Sequence, residues 1–411
     1  MTHLSIMYRL FDGFEKALTI QGDAFRESHP GVSFGLDSAD TQSLYTRMFT
    51  DGGLRDGSID IFMCCTDWLA EAIKDEQIVC LADYVQSDPP PDWPTGWAPT
   101  VLGIQQDDRG RPWGLPYHDG PEVFMYRTDL FEDPREQLHF ERQHGRPLAP
   151  PATWSEFLDL ARFFTRPEDD LYGCVVAGKP DGHNSVYDFA IHLWSRGGEL
   201  LSDTGRPIFA SRAGQSALRY YLDLIHEHRV TQPEPWEYDS VAAGMYYASG
   251  KAAMQWNWAG FQTIADLPEF SRIPGKTRSV MLPGGDGPEG RRVSLLVYWV
   301  MTIARGCRNP DLAYQFLRHL TTPAMDKVTA QCGGSGVRKS TWTDPEIRAQ
   351  FRYYDVMEEV HRSVRFLPRI PQYPAMNEAL NDMMASLVRG NGDIDTALRE
   401  ASERVEAILN P

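Results

Sequence analysis

Three features of the sequence predict a two-domain α/β protein. The 411 residues are too many for one compact core, because a domain usually holds about 100–200 residues. The first third alternates strand and helix patterns from His3–Tyr8 onward, and that order predicts a parallel sheet wound with helices. A second α/β segment, richer in helix patterns, follows the short strand pattern Gly114–Tyr117.

In the first third, local signals set the predicted boundaries. Asp12–Glu15 is a capping-box pattern that predicts a helix start, and Pro30 and Gly31 end that helix. Ile59–Cys65 is a continuous apolar run, typical of a strand covered on both faces, and Thr66 is expected to cap the following helix. The remaining predicted elements here are a strand at Val32–Leu36 and helices at Thr41–Thr50 and 67–74.

The second segment continues in the same manner. Thr153–Glu156 is another capping box and opens the helix Phe157–Phe164. From about residue 338 the chain is expected to be largely helical. The other predicted elements are strands at Tyr172–Ala177 and Val293–Ala304 and helices at Val186–Arg196, 211–228, 240–249 and Pro310–Thr321.

Composition and charge exclude several functions. No apolar run reaches the ~18 residues of a membrane-spanning helix. The formal charge of -17, without a basic cluster, excludes nucleic acid as a partner because both would be anionic. No CxxC pair occurs, so a zinc site is not predicted, and the adjacent Cys64 and Cys65 are expected to be small packing residues. No signal peptide is visible before His3, so the chain is either cytoplasmic or has lost its signal.

An ordered set of short motifs resembles the family 1 extracellular solute-binding proteins of ABC importers, in particular the branch that binds trehalose, maltose and other oligosaccharides. The resemblance covers nearly the whole chain. Its markers are Ile59–Phe62 with Trp68-Leu69, Gly114–Pro116, Met125–Phe131, Pro151–Phe157, Gly250–Met254 and Asn309–Leu317.

The resemblance implies a two-lobed, periplasmic-binding-protein-like α/β fold with a ligand cleft between the lobes. Three crossings of the chain, near 112–118, 291–297 and 331–337, would form the hinge. The expected N-terminal lobe is 1–115 plus 296–332, and the expected C-terminal, more helical lobe is 116–295 plus 333–411.

The function implied by the resemblance is capture of a carbohydrate by hinge closure and its delivery to a permease. The implied partners are the small carbohydrate and the transmembrane subunits of the ABC permease. The protein would be a monomer in the periplasm or anchored at the cell surface, and would need neither a cofactor nor a metal.

Sugar recognition uses aromatic faces against the ring and planar polar groups against hydroxyls, which guides the choice of site residues. In the N-terminal lobe, polar groups that follow strands are favoured, because ligands of open α/β sheets bind at the carboxyl ends of strands. The candidates are Arg9, Asp12, Asp40, Thr41 and Asp67 after the first three strands, Tyr117, His118 and Asp119 after the first crossing, Tyr298 and Trp299 at the second, and Ser335 and Arg338 at the third.

The C-terminal lobe is expected to supply His183, Asn184, Trp256 and Trp258. Arg369 is a further candidate, because it matches a ligand-binding arginine of the trehalose and maltose branch. The hinge would lie near Tyr117, Asp119 and Trp299.

Each candidate also has an ordinary structural interpretation. Asp12 fits an N-cap, and Tyr117–Asp119 precede turn-forming residues. The Trp residues fit core packing, and Arg369 fits a salt bridge between helices. Both interpretations remain open from the sequence.

The sequence also allows two rival functions. A glycosidase would use paired carboxylates such as Asp12, Asp67 and Asp119, but no nucleophile motif accompanies them. The same clamp for an anionic sugar, such as a uronate, would use the positive charge of Arg369 and the histidines His118 and His183.

Overall fold

The computed structural model describes residues 2–410 and divides the chain into two compact units. Unit 1 comprises the chain up to Gly120, Val297–Arg362 and Arg369–Pro371. Unit 2 comprises Pro121–Leu296, Ser363–Pro368 and the chain from Gln372 onward.

These units differ from the expected lobes at the third crossing. The segment 333–362 belongs to unit 1, so the chain leaves this unit after Arg362 and not near 331–337. The reason is packing against other parts of unit 1: the backbone N–H of Arg338 donates to Oδ2 of Asp326 at 3.1 Å, and Nε2 of His361 lies 2.8 Å from Oδ2 of Asp119. All four residues are buried, which ties this segment to unit 1.

The strands are β1 (Thr2–Arg9), β2 (Val32–Ala39), β3 (Ile61–Cys65), β4 (Leu115–His118), β5 (Glu122–Arg127), β6 (Tyr172–Val175), β7 (Ala252–Trp258), β8 (Thr277–Val280), β9 (Ser294–Leu295), β10 (Trp299–Ile303) and β11 (Val364–Arg365). The helices up to residue 266 are α1 (Asp12–Ser28), α2 (Thr41–Tyr45), α3 (Leu69–Lys74), α4 (Ala82–Ser87), α5 (Pro99–Ile104), α6 (Thr128–Phe131), α7 (Pro134–His144), α8 (Trp154–Phe164), α9 (Asn184–Ser195), α10 (Arg212–His226), α11 (Ser240–Ala248) and α12 (Phe261–Asp266). The later helices are α13 (Pro310–Leu320), α14 (Pro323–Gln331), α15 (Lys339–Trp342), α16 (Pro345–Gln350), α17 (Tyr354–Val360), α18 (Tyr373–Val388) and α19 (Ile394–Leu409).

Unit 1 is built on a five-stranded sheet in the order β2-β1-β3-β10-β4. Strands β1, β2 and β3 are parallel, and β10 is antiparallel to both of its neighbours. Strand β4 therefore runs in the same direction as β3. The carboxyl ends of β1 to β4 and the first residue of β10 consequently lie at one edge of the sheet.

Unit 2 contains a four-stranded sheet in the order β6-β7-β5-β8, and a two-stranded sheet of β9 and β11. Strand β5 is antiparallel to β7 and β8, whereas β6 is parallel to β7. The first residue of β5 and the last residue of β7 are paired, so they lie at the same edge.

Several local predictions are confirmed. The apolar run at β3 is buried along its whole length, and Cys64 and Cys65 are buried free thiols that pack in the core. At α8, the Thr153 hydroxyl accepts a hydrogen bond from the backbone N–H of Glu156 at 3.2 Å, as a capping box requires.

Other local predictions were wrong in detail. Helix α1 begins at Asp12 with Phe11 in the N-cap position, so Asp12 is a first-turn acid and not the cap. Helix α3 begins at Leu69 and Thr66 does not cap it. The single strand expected at Val293–Ala304 is divided into β9 and β10, because the chain passes from unit 2 to unit 1 between them.

Candidate functional site

Most of the candidates predicted for the N-terminal lobe and the hinge meet at the carboxyl edge of the unit 1 sheet. Topology brings them there, because each lies at or just after the end of a strand that ends at this edge, or at the start of the antiparallel strand β10. The residues at this edge are Arg9, Asp12, Asp40, Thr41, Asp67, Tyr117, His118, Asp119, Tyr298 and Trp299.

Aromatic rings gather beside Arg9 at this edge. The Trp299 ring meets the Trp68 ring edge to face, with centroids 5.6 Å apart, and the Arg9 guanidinium lies 5.6 Å from the Trp299 centroid. The Tyr45 ring also meets the Trp68 ring edge to face, with centroids 5.4 Å apart. Trp68 was not predicted as a site residue, although its position directly after Asp67 at a strand end was a usable signal.

His118 is held in one orientation and one protonation state. The backbone N–H of Ser335 donates to Nδ1 of His118 at 2.8 Å, so the ring proton is on Nε2. Burial, together with the positive charge of Arg9, lowers the pKa of His118 to about 3. His118 is therefore a neutral ring with an Nε2–H donor, and it contributes no positive charge.

Asp119 has partners within unit 1 for both carboxylate oxygens. Oδ1 accepts from the backbone N–H of Gly120 at 2.9 Å, and Oδ2 lies 2.8 Å from Nε2 of His361. The other ring nitrogen of His361 lies 3.0 Å from the Thr100 hydroxyl, and the Trp342 ring stacks on the imidazole. Both carboxylate oxygens of Asp119 are thus engaged within the protein.

Two aromatic candidates at this edge are also core residues. Tyr117 is buried and its hydroxyl donates to Oε1 of Gln21 at 2.9 Å. Tyr298 is buried and its hydroxyl donates to the carbonyl of Val101. Their polar atoms are therefore used within the protein.

The acids after the first three strands differ in exposure. Asp12 is exposed in the first turn of α1, and Asp67 is half-buried. Asp40 caps α2, and the hydrogen bonds from the backbone and hydroxyl of Ser43 lower the pKa of Asp40. Thr41 is the first residue of that helix.

Two candidates from the C-terminal third, Ser335 and Arg338, form internal contacts in unit 1. The hydroxyl of buried Ser335 accepts from Tyr353 at 3.2 Å. The buried guanidinium of Arg338 covers Trp97 at 4.2 Å and donates to the Thr321 carbonyl and to Asp92.

Arg369 donates to two carbonyls at the end of α5. Its Nη1 lies 2.8 Å from the Gly103 carbonyl and 3.2 Å from the Gln106 carbonyl. These contacts cap the helix, as cationic side chains commonly do at helix C-termini. The salt bridge considered as the alternative is not the contact that the structure shows.

Unit 2 presents a second group of candidates where β7 ends. Trp256 is buried, and its indole donates to Oδ1 of Asp188, which makes Trp256 a core residue. Trp258 is only partly buried, and its ring meets Tyr187 edge to face with centroids 5.9 Å apart. Tyr187 in turn contacts the His183 ring at 5.5 Å, which places His183 beside this group.

Asp181 organises the loop before α9. Its carboxylate accepts from the backbone N–H of His183 at 3.0 Å and from the side-chain amide of Asn184 at 2.6 Å. His183 and Asn184, the two residues that Asp181 holds, were predicted as site residues from the sequence, whereas Asp181 was not.

Two buried acids of unit 2 were missed. Glu122 begins β5 directly opposite Trp258, and Asp188 lies on the buried helix α9. Burial and the Asp188 carboxylate raise the pKa of Glu122 well above its ordinary value, and burial raises the pKa of Asp188 to about 7. An acid within the apolar run Val186–Trp194 was a signal for Asp188, whereas Glu122 required the strand register.

Residues 2–410 contain neither a metal-binding cluster of acids, histidines and cysteines nor a membrane-spanning helix. No group of three or more His, Cys, Asp or Glu side chains in this range is arranged to hold a metal ion. Within the same range, no helix is long and apolar enough to cross a membrane.

Comparison with known proteins gives a consistent result. The family model described as bacterial extracellular solute-binding protein matches residues 12–327. A mannitol-binding protein of Pseudomonas aeruginosa is 21% identical over 401 residues, which cover 92% of this chain and 87% of that protein.

Solved structures are similar over nearly the whole chain. An ABC transporter solute-binding protein from Agrobacterium radiobacter K84, in complex with ribitol, has a TM-score of 0.86 at 23% identity and covers 99% of this chain and 98% of its own. Maltose-bound MalE3 of T. maritima has a TM-score of 0.85 at 20% identity, covering 98% and 99%. These values show that the fold is shared.

Proposed function

The chain belongs to the bacterial extracellular solute-binding protein family, and from this we propose that it captures a sugar or polyol for an ABC importer. The named solutes of its relatives, mannitol, ribitol and maltose, are all neutral polyhydroxyl compounds. The proposed location is outside the cytoplasmic membrane, in the periplasm or at the cell surface, and the proposed partner is the permease of the importer.

The carboxyl edge of the unit 1 sheet carries this proposal. It combines a Trp pair, Trp68 and Trp299, with the carboxylates of Asp12 and Asp67 and the Nε2–H donor of His118. Aromatic rings suit the apolar face of a sugar, and carboxylates and imidazole suit its hydroxyls. In unit 2, the proposed contact residues are Trp258 and His183.

Charge favours a neutral solute over the anionic alternative. His118 is neutral, and Arg369 uses its guanidinium at the end of α5. Arg9 is then the remaining cation among the proposed residues, whereas Asp12 and Asp67 bring two carboxylates to the same edge. An anionic solute would meet more negative than positive charge there.

No chemical step is proposed. The carboxylates that a glycosidase would require include Asp119, whose two oxygens already have partners in the protein. Asp12 and Asp67 are assigned as hydroxyl acceptors. The solute would be released unchanged to the permease.

A thermal-shift screen tests the proposal, with D-mannitol, ribitol, maltose and D-glucuronate as probes. A bound solute stabilises the folded state, by about 2.7 kcal/mol at 100 times its dissociation constant. We expect at least one neutral probe to raise Tm and to be recovered unchanged after incubation. A shift with D-glucuronate alone would select the anionic alternative, and loss of the probe would indicate an enzyme.

A further inference from the structure

A cavity of about 370 Å³ opens on unit 1 between helix α4, the loop that carries Trp93 and the turn that leads into β4. Its volume falls within the range usual for small-molecule sites. The lining combines one indole ring, two side-chain amides and one guanidinium with apolar surface. These groups come from Val85, Gln86, Trp93, Gln106, Arg111 and Pro112.

This cavity lies away from the candidate site. The backbone N–H of Val79 donates to the carbonyl of Ile303, the last residue of β10, and the N–H of Leu81 donates to the Pro112 carbonyl. Because β10 is antiparallel to β3 and β4, its last residue lies at the amino edge of these strands. The cavity wall at Pro112 therefore lies toward the amino edge of the sheet, whereas β4 ends at His118 on the carboxyl edge.

Trp93 forms an aromatic wall that a second indole supports. The Trp93 ring meets the Trp97 ring edge to face, with centroids 5.5 Å apart, and the Arg338 guanidinium lies 4.2 Å from the Trp97 centroid. Trp97 is buried, whereas Trp93 is only partly buried. The exposed surface of a supported indole suits the apolar C–H face of a sugar ring.

Gln86 and Gln106 add two planar polar groups to the lining. Within residues 2–410, neither side-chain amide makes a hydrogen bond to the protein. An amide both donates and accepts, as a hydroxyl group does. The two side chains can therefore bond the hydroxyls of a ligand without losing contacts within the protein.

Arg111 is the charged member of the lining, and an acid of the same turn matches its charge. Its Nε lies 2.8 Å and its Nη2 lies 2.7 Å from Oδ2 of Asp107. Oδ1 of Asp107 accepts the backbone N–H groups of Arg109 and Arg111, each at 3.0 Å, which fixes the turn. The ion pair leaves no unmatched charge in the lining, and this favours a neutral ligand over an ionic one.

We propose that this cavity is a second carbohydrate site, which holds a neutral pyranose ring against Trp93 and bonds its hydroxyls through Gln86 and Gln106. The second site goes beyond the proposed function, because none of its residues belongs to the carboxyl edge and it would hold a sugar whether or not that edge does. A pyranose presents a continuous C–H face to an indole and an acyclic polyol does not, so the cavity should prefer maltose to D-mannitol. Because Gln86 and Arg111 are exposed, dissociation constants in the millimolar range are expected.

The indole N–H signals of the protein test the second site. Each Trp gives its own signal in a nitrogen–proton correlation spectrum, and the signal that disappears in Trp93→Phe belongs to Trp93. Titration with maltose should shift this signal with a millimolar dissociation constant, and D-mannitol at the same concentrations should shift it much less. A Trp93 signal that maltose leaves unmoved, or that both compounds move equally, would overturn the proposal.

Three variants separate direct binding from an effect transmitted from the carboxyl edge. Gln86→Ala should weaken the maltose titration of the Trp93 signal roughly three- to tenfold, through loss of one hydrogen bond. Trp236→Ala removes a partly buried indole of unit 2 and is the control that should leave this titration unchanged. Asp67→Asn should leave it unchanged as well, because Asp67 lies at the carboxyl edge.

A Trp93 titration that Gln86→Ala leaves unchanged, or that Asp67→Asn abolishes, contradicts the second site. The outcome is independent of the proposed function. If none of the four probes raises Tm in the thermal-shift screen, the proposed function fails, while the Trp93 titration still decides whether the cavity binds a pyranose.

Discussion

The candidate residues fall into two groups, according to whether their polar atoms already have hydrogen-bond partners within the protein. Asp119 and Tyr298 have their side-chain hydrogen-bonding atoms bound to other residues of unit 1, and both terminal nitrogens of Arg338 donate to unit 1 acceptors. His118 bonds through Nδ1 and keeps Nε2–H as a donor, while Trp258 keeps part of its ring exposed. Identity alone could not distinguish these two groups, because an aspartate that binds a sugar and one that binds a buried histidine are the same residue type.

Trp258→Ala is expected to weaken binding of the identified neutral probe by about 1–3 kcal/mol, through loss of an aromatic contact. Calorimetry measures this change. Phe270→Ala is the matched control, because Phe270 is an exposed aromatic of the same unit and should leave affinity unchanged. Equal affinities for the wild type and a folded Trp258→Ala protein would remove Trp258 from the site.

His118→Asn is expected to separate stability from binding. The asparagine Oδ1 can still accept from the Ser335 N–H, so Tm should change little. The Nε2–H donor is lost, which should cost roughly 0.5–1.5 kcal/mol of binding energy. His118→Leu removes both contacts and should lower Tm as well. Retention of full affinity by His118→Asn would show that Nε2 does not reach the solute.

Contacts between distant elements determine the role of several side chains, and the local sequence of each element does not show that role. The ends of strand β4 and helix α17 are joined by the residues that follow them, Asp119 and His361, whose positions are 242 residues apart. Glu122 at the start of β5 and Asp188 on α9 are both buried, and burial together with the Asp188 carboxylate raises the pKa of Glu122. The two pairs behave oppositely, because one joins an acid to a base and the other joins two acids.

The β4–α17 connection is expected to stabilise unit 1. Asp119→Ala leaves the Gly120 N–H and a buried nitrogen of His361 without acceptors, and should lower the free energy of unfolding by roughly 2–5 kcal/mol. Asp119→Asn keeps one acceptor and should lose less. Urea denaturation measures both variants. Folded Asp119→Asn should bind the probe as the wild type does, and a large loss of its affinity would restore Asp119 to the ligand site.

The β5–α9 pair makes stability depend on pH in a defined direction. Carboxyls of the unfolded chain titrate near pH 4, whereas burial raises the pKa of Asp188 in the folded state to about 7. The folded state therefore binds more protons in this window, and stability falls as pH rises from about 4 to about 7, by up to ~1.4 kcal/mol per pH unit for one proton.

Asp188→Asn should remove the part of the pH dependence of stability that the Asp188 carboxyl causes. Urea denaturation of the wild type and the variant at pH 5 and 7.5 gives the comparison, so that all other titrating groups cancel. We expect the variant to gain stability relative to the wild type at the higher pH. A difference in unfolding free energy that is the same at both pH values would contradict a raised pKa.

For the whole molecule, the family membership predicts that residues of both units contribute to the affinity for one solute. Asp67→Asn in unit 1 and Trp258→Ala in unit 2 should each reduce affinity for the same probe, measured by calorimetry. If only one variant binds more weakly, the solute is recognised by one unit alone. Variants that fold and bind normally at both positions would contradict the proposed residue set.

Local patterns were sufficient to place most elements. The buried strand β3, the helix α8 with its Thr153 cap, and the helix α1 each follow from short-range signals: an apolar run, a capping pair and a helical stretch ended by Pro30. The motif order likewise predicted the family, since the markers are local and occur in sequence. Such properties depend on neighbours within a few positions.

Contacts between residues that are distant in the sequence could be identified only from the structure. The passage of the chain from unit 2 to unit 1 between β9 and β10 is invisible in a continuous apolar pattern, because periodicity does not record which sheet a strand joins. The strand register pairs Glu122 with Trp258, and packing brings Asp119 into contact with His361. Both contacts join positions that are more than 100 residues apart. Burial and partnership decide whether an acid binds a solute, caps a helix or holds a proton, and both are fixed by residues that are distant in the sequence.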